Sequence, residues 1–395
     1  MLIGAAQGPL ARLVDPLPLD RFLDDVLGKQ PIVLQAARCA ASRDLLGDDP
    51  EGAILNGYAE LAPNITSHAL APTGPVPAVE AVPDAAAFRA RIAEFHERHY
   101  TVRIPGIRNL APQMSALIRA LEVVLHVPVD VEAFWSRADG AAPVHFDDYD
   151  LIMVQLKGRK RWIISTEPSA LPNAWKTIPN RPMSIENGMT VEVGPGDLIY
   201  IPRGTLHTVE GIADSLHASI GFVPLTLREA VIACLDHLSE FTLPLRQSIA
   251  PRLGQQIAAS DFGDLPERVR QAAGFLLKNC QADGFIAGAL QRRSSRLIGD
   301  LHKLEAGEGH AAITADTRLR HHPLAVSHLS GNETKIDFAY PGGHHYIHRG
   351  ADESLQFIAR TEEFAVSQIP GEITDDVRIA LVEQLVECGF LQVAD

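Results

Sequence analysis

Cysteine is scarce in this sequence: four in 395 residues, Cys39, Cys234, Cys280 and Cys388, none of them in a CxxC pair. That spacing excludes a local zinc knuckle or redox dithiol, since either would need thiols gathered from distant parts of the chain. Idle or buried thiols in a reducing compartment are the expectation. Long hydrophobic runs are missing too. No segment reaches the roughly 18 apolar residues of a membrane span, and the opening MLIGAAQGPLARLVDPLPLDRF lacks the charged start and clean apolar stretch of a secretory signal. A cytoplasmic location and no membrane partner are expected. Positive charge is in short supply: Lys+Arg number 35 against 49 Asp+Glu, a formal net charge of −14. That balance weighs against nonspecific binding to nucleic-acid phosphates, which draws on a basic surface to release counterions, and it suits a basic partner. Internal repeats and low-complexity linkers are absent as well.

What is present is an ordinary globular composition, 46% hydrophobic and 21% charged, in a chain long enough for two or three domains. The first part mixes strand-like runs, PIVLQ at Pro31 to Gln35 and YTVRI at Tyr100 to Ile104, with a helical stretch from Asp84 to His99. Between Met114 and Leu125 the apolar residues Leu117, Ile118, Leu121, Val124 and Leu125 recur at helical steps. From about Val129 to Pro224 short β-type runs (VDVEAFW, VHFDDYDLIMVQL, RWIIS, TVEVGPGDLIYIP, SLHASIGFVPL) alternate with Gly, Pro and Asn. Many short strands with regular turn signals predict a barrel or jelly roll, and KGRK (Lys157 to Lys160) reads as a hairpin between two of them. Beyond Thr226, with Glu229 in a capping-box relation, helices are expected over 226–240, 264–280 and 284–305. A mixed section follows, with KIDFAY, HHYIHR, LQFIAR and a helix from Thr374 to Cys388 stopped by Gly389. The domain expectation is 1–225, 226–308 and 309–395, with segments such as GEGH at 307–310 marking boundaries.

Two motifs carry chemistry. Residues two apart on a strand share a face, so a strand through HFDDYD would present His145 and Asp147 side by side. Asp148 and Asp150 would then point to the opposite face and miss the same ion unless the strand is bulged. GDLIYIPRGTLH fits G-x5-P-x-G-x2-H through Gly196, Pro202, Gly204 and His207, a Gly/Pro-punctuated run that ends on a histidine. Two histidines and one carboxylate form the facial set that leaves positions open on non-haem Fe(II) for oxygen chemistry. A second cluster, His344, His345 and His348, reads as a polar loop or wing near Gly342 and Gly343, with a metal site as the alternative.

The second motif is similar to the distal cupin motif, and HFDDYDLIMVQLKGRKRW resembles the core of the bacterial and nuclear ribosomal-oxygenase branch of the JmjC cupins. The resemblance implies an α+β protein with a double-stranded β-helix (cupin/JmjC jelly roll) core, a helical middle domain that dimerises in relatives, and a C-terminal winged-helix-like module. It implies Fe(II) held by His145, Asp147 and His207, with 2-oxoglutarate as cosubstrate and O2 as oxidant. By the same resemblance Lys160 pairs with the distal carboxylate of 2-oxoglutarate, since a buried carboxylate without a cation is costly. Alternation puts Lys160 and Trp162 on one face and Arg159 and Arg161 on the other. His217 and Ser219 of SLHASIGF share a face and are candidates for lining the cosubstrate cavity. The implied activity is hydroxylation of an amino-acid side chain in a protein, a basic ribosomal protein being the leading substrate class, in a homodimeric enzyme. Hydroxylation of a biosynthetic peptide or small molecule is the alternative. A catalytically silent metal-binding cupin that acts as a binding module is the reading of another class. Demethylation of N-methyl-lysine finds no aromatic cage in a chain with 6% aromatics, and the final helix, DDVRIALVEQLVEC, is not basic enough to suggest DNA reading.

Overall fold

The computed structural model describes residues 2–35, 44–138, 140–168, 170–172, 183–248, 264–306 and 312–394. Cys39, the GEGH segment and the expected boundary at 308/309 lie outside the described residues. The chain divides into two compact units, Met1–Pro224 and Leu225–Asp395.

The first unit contains eleven described strands: β1 (Ile32–Leu34), β2 (Thr66–His68), β3 (Thr101–Pro105), β4 (Val129–Ser136), β5 (Ala141–His145), β6 (Asp150–Lys157), β7 (Lys160–Ser165), β8 (Gly188–Val193), β9 (Leu198–Ile201), β10 (His207–Gly211) and β11 (Ser215–Phe222). They form a seven-stranded sheet, β1-β9-β6-β11-β4-β3-β2, and a four-stranded sheet, β5-β10-β7-β8. The larger sheet is buried on both faces along β6, β9 and β11, and alternation sorts their residues between two cores. On β6, Ile152 and Val154 join the large core that includes Met114, Leu117 and Leu121 of the helix Pro112–Leu125. Leu151 and Met153 instead meet Trp162 and Ile164 of β7 between the sheets. Double burial explains why DLIMVQL is a continuous apolar run with no period of two. On β7 the pattern is clean: Lys160, Trp162 and Ile164 point inward, while Arg161 pairs with Glu192 and Glu210 outside.

Two local expectations are corrected here. VHFDDYDLIMVQL is two strands: β5 stops at His145 and β6 starts at Asp150, because β5 belongs to the four-stranded sheet and β6 to the seven-stranded one. Residues 146–149 must therefore carry the chain across the gap between layers, about 10 Å for packed sheets. KGRK is likewise a crossover and not a hairpin, since β6 pairs with β9 and β11 while β7 pairs with β10 and β8. Gly158 makes that turn at φ 70, with its Cα so close to the Asp214 carbonyl that a Cβ would sit 1.9 Å from it.

The second unit opens with the helix Leu227–Phe241, where the Thr226 hydroxyl accepts from the N–H of Glu229. The reciprocal half of the box is replaced by an ion pair of the Glu229 carboxylate with Arg228. Helices Leu265–Asn279 and Phe285–Asp300 follow. Next come β12 (Arg318–His321), β13 (His328–Gly331), β14 (Lys335–Tyr340), β15 (Gly343–His348), β16 (Glu363–Ala365) and β17 (Leu391–Val393), with the helices Asp352–Arg360 and Asp375–Glu387. The strands form two three-stranded sheets, β16-β12-β17 and β13-β14-β15. Gly389, at φ 77, turns the chain out of the last helix. Long-range assembly also brings two thiols together: Cys280, which caps the helix Leu265–Asn279, lies beside Cys234, whose pKa is raised by burial and by that neighbour.

Candidate metal centre

His145 closes β5 and His207 opens β10, and the two are register partners in an antiparallel pair. Their rings are 4.3 Å apart between centroids. Asp147 arrives from the crossover turn, whose backbone is held by a hydrogen bond from Gly204 N to Asp147 O of 2.9 Å. Its position beside His145 thus depends on a turn rather than on the pleat of one strand. One ligand atom from each of the three residues can be chosen so that all lie within 4.8 Å of one another, and His207 Nε2 is 3.4 Å from Asp147 Oδ2. Among the described residues this is the one such cluster of His, Cys, Asp or Glu.

The imidazoles are oriented from behind. Nδ1 of His145 is 2.8 Å from Pro143 O, and Nδ1 of His207 is 2.9 Å from Thr205 O. A ring nitrogen that faces a carbonyl oxygen carries the proton, which leaves the Nε2 lone pair free for a metal. Burial lowers the pKa of His145, reinforced by His207, so the ring stays neutral and able to ligate. Burial pushes the Asp147 carboxyl up, but His207, His145 and Arg103 outweigh it and hold the group below the usual carboxylate range. Two imidazole nitrogens and one carboxylate oxygen suit a divalent first-row metal with coordination positions left over.

Between the sheets lies a cavity of about 420 Å³ that includes all three residues. One wall is the seven-stranded sheet, through Asp130, Glu132, Phe134 and Ser136 of β4 and His217, Ser219 and Gly221 of β11. The other is the four-stranded sheet, through His207 and Val209 of β10 and Lys160 and Trp162 of β7. Lys160 is buried, its Nζ 3.0 Å from Ser136 Oγ and 2.9 Å from His217 Nδ1. Burial depresses its pKa to about 7. His217 stacks on Phe134 at 5.0 Å and meets Trp162 edge-on at 5.8 Å. Burial, with Lys160 and His68 nearby, drives its pKa well below the usual value, so it stays neutral and can accept from Lys160. Ser219 also lines the cavity, in register with Glu132 and Met153.

Several cavity residues carry no motif in the sequence. Ser136 bonds Lys160 and accepts from Thr101 Oγ1 at 3.2 Å. Arg103 makes a two-point ion pair with Glu132, and His68 and Tyr149 also line the wall. Alternation along VDVEAFWS puts Asp130, Glu132, Phe134 and Ser136 on one face, whereas the arrival of β2 and β3 beside it depends on long-range pairing. Asp148 and Asp150 stay out of the ligand cluster. Asp150 is fully buried and accepts from Arg203 N at 3.0 Å and from the Tyr200 hydroxyl. His344, His345 and His348 form no such cluster either: His344 Nδ1 meets Asp337 Oδ1 at 2.9 Å, His345 stacks on Tyr340, and His348 Nδ1 accepts from Gly350 N.

Residues 109–230 match the JmjC domain family model, a span that includes the three clustered residues, Lys160, His217 and Ser219. The chain is 36% identical over 216 residues to ribosomal oxygenase 2 of Rattus norvegicus, covering 53% of this chain and 44% of that protein. It is 24% identical over 272 residues to the bifunctional lysine-specific demethylase and histidyl-hydroxylase NO66 of Drosophila persimilis, covering 64% of this chain and 38% of that one. The chain therefore spans less than half the length of these curated relatives. Among solved structures, the ribosomal oxygenase YcfD of Escherichia coli superposes with a TM-score of 0.56 at 18% identity, over 96% of this chain and 98% of that one. The two share a fold. YcfD has also been solved in complex with cobalt and 2-oxoglutarate.

Proposed function

We propose that this chain, which belongs with the ribosomal-oxygenase-like JmjC proteins, is an Fe(II)- and 2-oxoglutarate-dependent oxygenase that hydroxylates an amino-acid side chain in a protein substrate. One observation carries the reading: two imidazoles and a carboxylate converge in a cavity between the sheets that also contains a buried lysine. Iron bound by His145, Asp147 and His207, with 2-oxoglutarate and O2, supplies the oxidising power to hydroxylate an unactivated C–H bond.

The chain's own contribution is binding and orientation. Pro143 O and Thr205 O fix the two ring tautomers. Asp147 supplies a negative charge that the buried surroundings do not neutralise. Lys160 offers an ammonium to the far carboxylate of the keto acid, and Ser136 and His217 steer that ammonium. Phe134 and Trp162 give the space apolar walls. Ser219, which lines the cavity from β11, offers a hydroxyl to the cosubstrate in this reading. Asp130 adds negative charge to the cavity wall, where the charge of Glu132 is matched by Arg103, and with the net charge of −14 this favours a basic protein, so a ribosomal protein is the substrate class we infer. That substrate would place the reaction in the cytoplasm.

A homodimer formed through the helical segment belongs to the same reading. The helix Leu265–Asn279 buries no residue, and Val269 and Leu277 on it are 58% and 68% exposed. Leu227 and Phe241 nearby in sequence are 80% and 71% exposed, more apolar surface than a solitary unit normally leaves open.

The test is anaerobic titration of the Fe(II)-loaded protein with 2-oxoglutarate, following the visible metal-to-ligand charge-transfer band. The band is expected in the native protein and absent in His207→Ala. A metal-loaded native protein without the band would turn the reading toward a binding cupin.

A further inference from the structure

The turn that presents His207 and the turn that presents Asp147 lie on different strands, so something must hold them in register. Two consecutive N–H groups of the 202–206 turn are both gripped from the 147–150 segment. Gly204 N donates to the Asp147 carbonyl at 2.9 Å, and Arg203 N donates to Asp150 Oδ1 at 3.0 Å. The second carboxylate oxygen of Asp150 accepts from the Tyr200 hydroxyl, which in turn accepts from Gly28 N at 2.6 Å. Asp150 and Tyr200 are both 0% exposed and sit with the outer core, where Phe22 meets the Tyr200 ring edge-on at 5.3 Å. A carboxylate in such a place is costly unless donors surround it, and the donors here belong to the turn that carries a metal ligand.

We propose that Asp150 is a positioning residue for the metal centre, clamping the His207 turn onto the Asp147 turn from the back of the sheet. The inference rests on the reading of His145, Asp147 and His207 as a metal site. Only a carboxylate serves both donors, because an amide in its place offers one acceptor oxygen and turns N–H groups toward the other partner. Tyr200 has a different part. It ties the clamp to the segment around Gly28, and its loss leaves the bond from Arg203 N in place.

The experiment measures Mn(II) affinity by electron paramagnetic resonance on the full chain, with circular dichroism and thermal unfolding alongside, for the native protein, Asp150→Ala, Asp150→Asn and Tyr200→Phe. Asp150→Ala is expected to raise the Mn(II) Kd roughly 10- to 100-fold, the usual effect of removing a group that orients metal ligands. Asp150→Asn should fall between it and the native protein, and Tyr200→Phe should lose thermal stability while binding Mn(II) nearly as the native protein does. A folded Asp150→Ala with native affinity overturns the proposal. So does a Tyr200→Phe that loses as much affinity as Asp150→Ala, since binding would then merely follow stability. If Asp150→Ala does not fold, Asp150→Asn decides, and native affinity in it overturns the proposal. Failure of the native chain itself to bind Mn(II) removes the metal centre, a different result from loss in the Asp150 variants alone.

Discussion

Lys160 is a buried cation whose neighbours are a hydroxyl and an imidazole, with no carboxylate hydrogen-bonded to it among the described residues. Burial brings its pKa to about 7, against about 10.4 for a free lysine. Between these values the folded chain binds fewer protons than the unfolded one, so the lysine makes the ligand-free protein more stable as pH rises from about 7 toward 10. Keto-acid binding has the opposite dependence, because the carboxylate needs the ammonium form. The Kd for 2-oxoglutarate, measured anaerobically with metal bound, is expected to rise above pH 7, approaching roughly tenfold per pH unit. Lys160→Ala should raise the Kd and flatten that dependence. A native Kd that stays constant from pH 6.5 to 8.5 would take the anchoring role away from Lys160. The inward orientation of this side chain was legible because Arg159 and Arg161 mark the opposite face by alternation. Its partner Ser136 was not, since β4 and β7 lie in different sheets.

Among the elements, the two turns that deliver ligands show what local sequence can and cannot reveal. Gly196 and Gly204 take φ of 88° and 75°, the left-handed region that glycine enters without penalty, so G-x5-P-x-G-x2-H announces its own geometry. A Cβ at Gly204 would stand 1.9 Å from Ala170 O. Gly204→Ala is therefore expected to cost at least the 1–2 kcal/mol of the backbone conformation alone, visible as a lower Tm, and to weaken Mn(II) binding by moving the His207 turn. Native metal affinity in a folded Gly204→Ala would show that the turn can yield without disturbing His207. HFDDYD was harder to read. Nothing local marks the break after His145, because β6 is apolar on both faces and gives no period, and the sheet each strand joins is set by partners far away in sequence. KGRK looked like a hairpin for the same reason: turn chemistry fixes the bend, while strand pairing decides where it leads.

At the level of the whole molecule, charge and division into units lead to separate expectations. A chain of net charge −14 should attract a basic protein substrate at long range, and that attraction fades as the Debye length shrinks from about 10 Å at 0.1 M salt to about 3 Å at 1 M. KM for a basic ribosomal protein should therefore rise with salt while kcat changes little, and a salt-independent KM would argue that the substrate is not recognised by its charge. The unit Met1–Pro224 contains every residue assigned here to the metal, to 2-oxoglutarate or to the cavity wall. Among the described residues of that unit, the core cluster runs from Leu10 to Phe222. A chain ended at Pro224 is thus expected to fold, bind Fe(II) and 2-oxoglutarate, and give the charge-transfer band. The exposed apolar residues of the helices Leu227–Phe241 and Leu265–Asn279 would be gone, so light scattering should find a monomer for the shortened chain and, on the proposed interface, a dimer for the full chain. A shortened chain that still dimerises would move the interface into the first unit. A shortened chain that folds but shows no band would mean that the second unit contributes to the site itself.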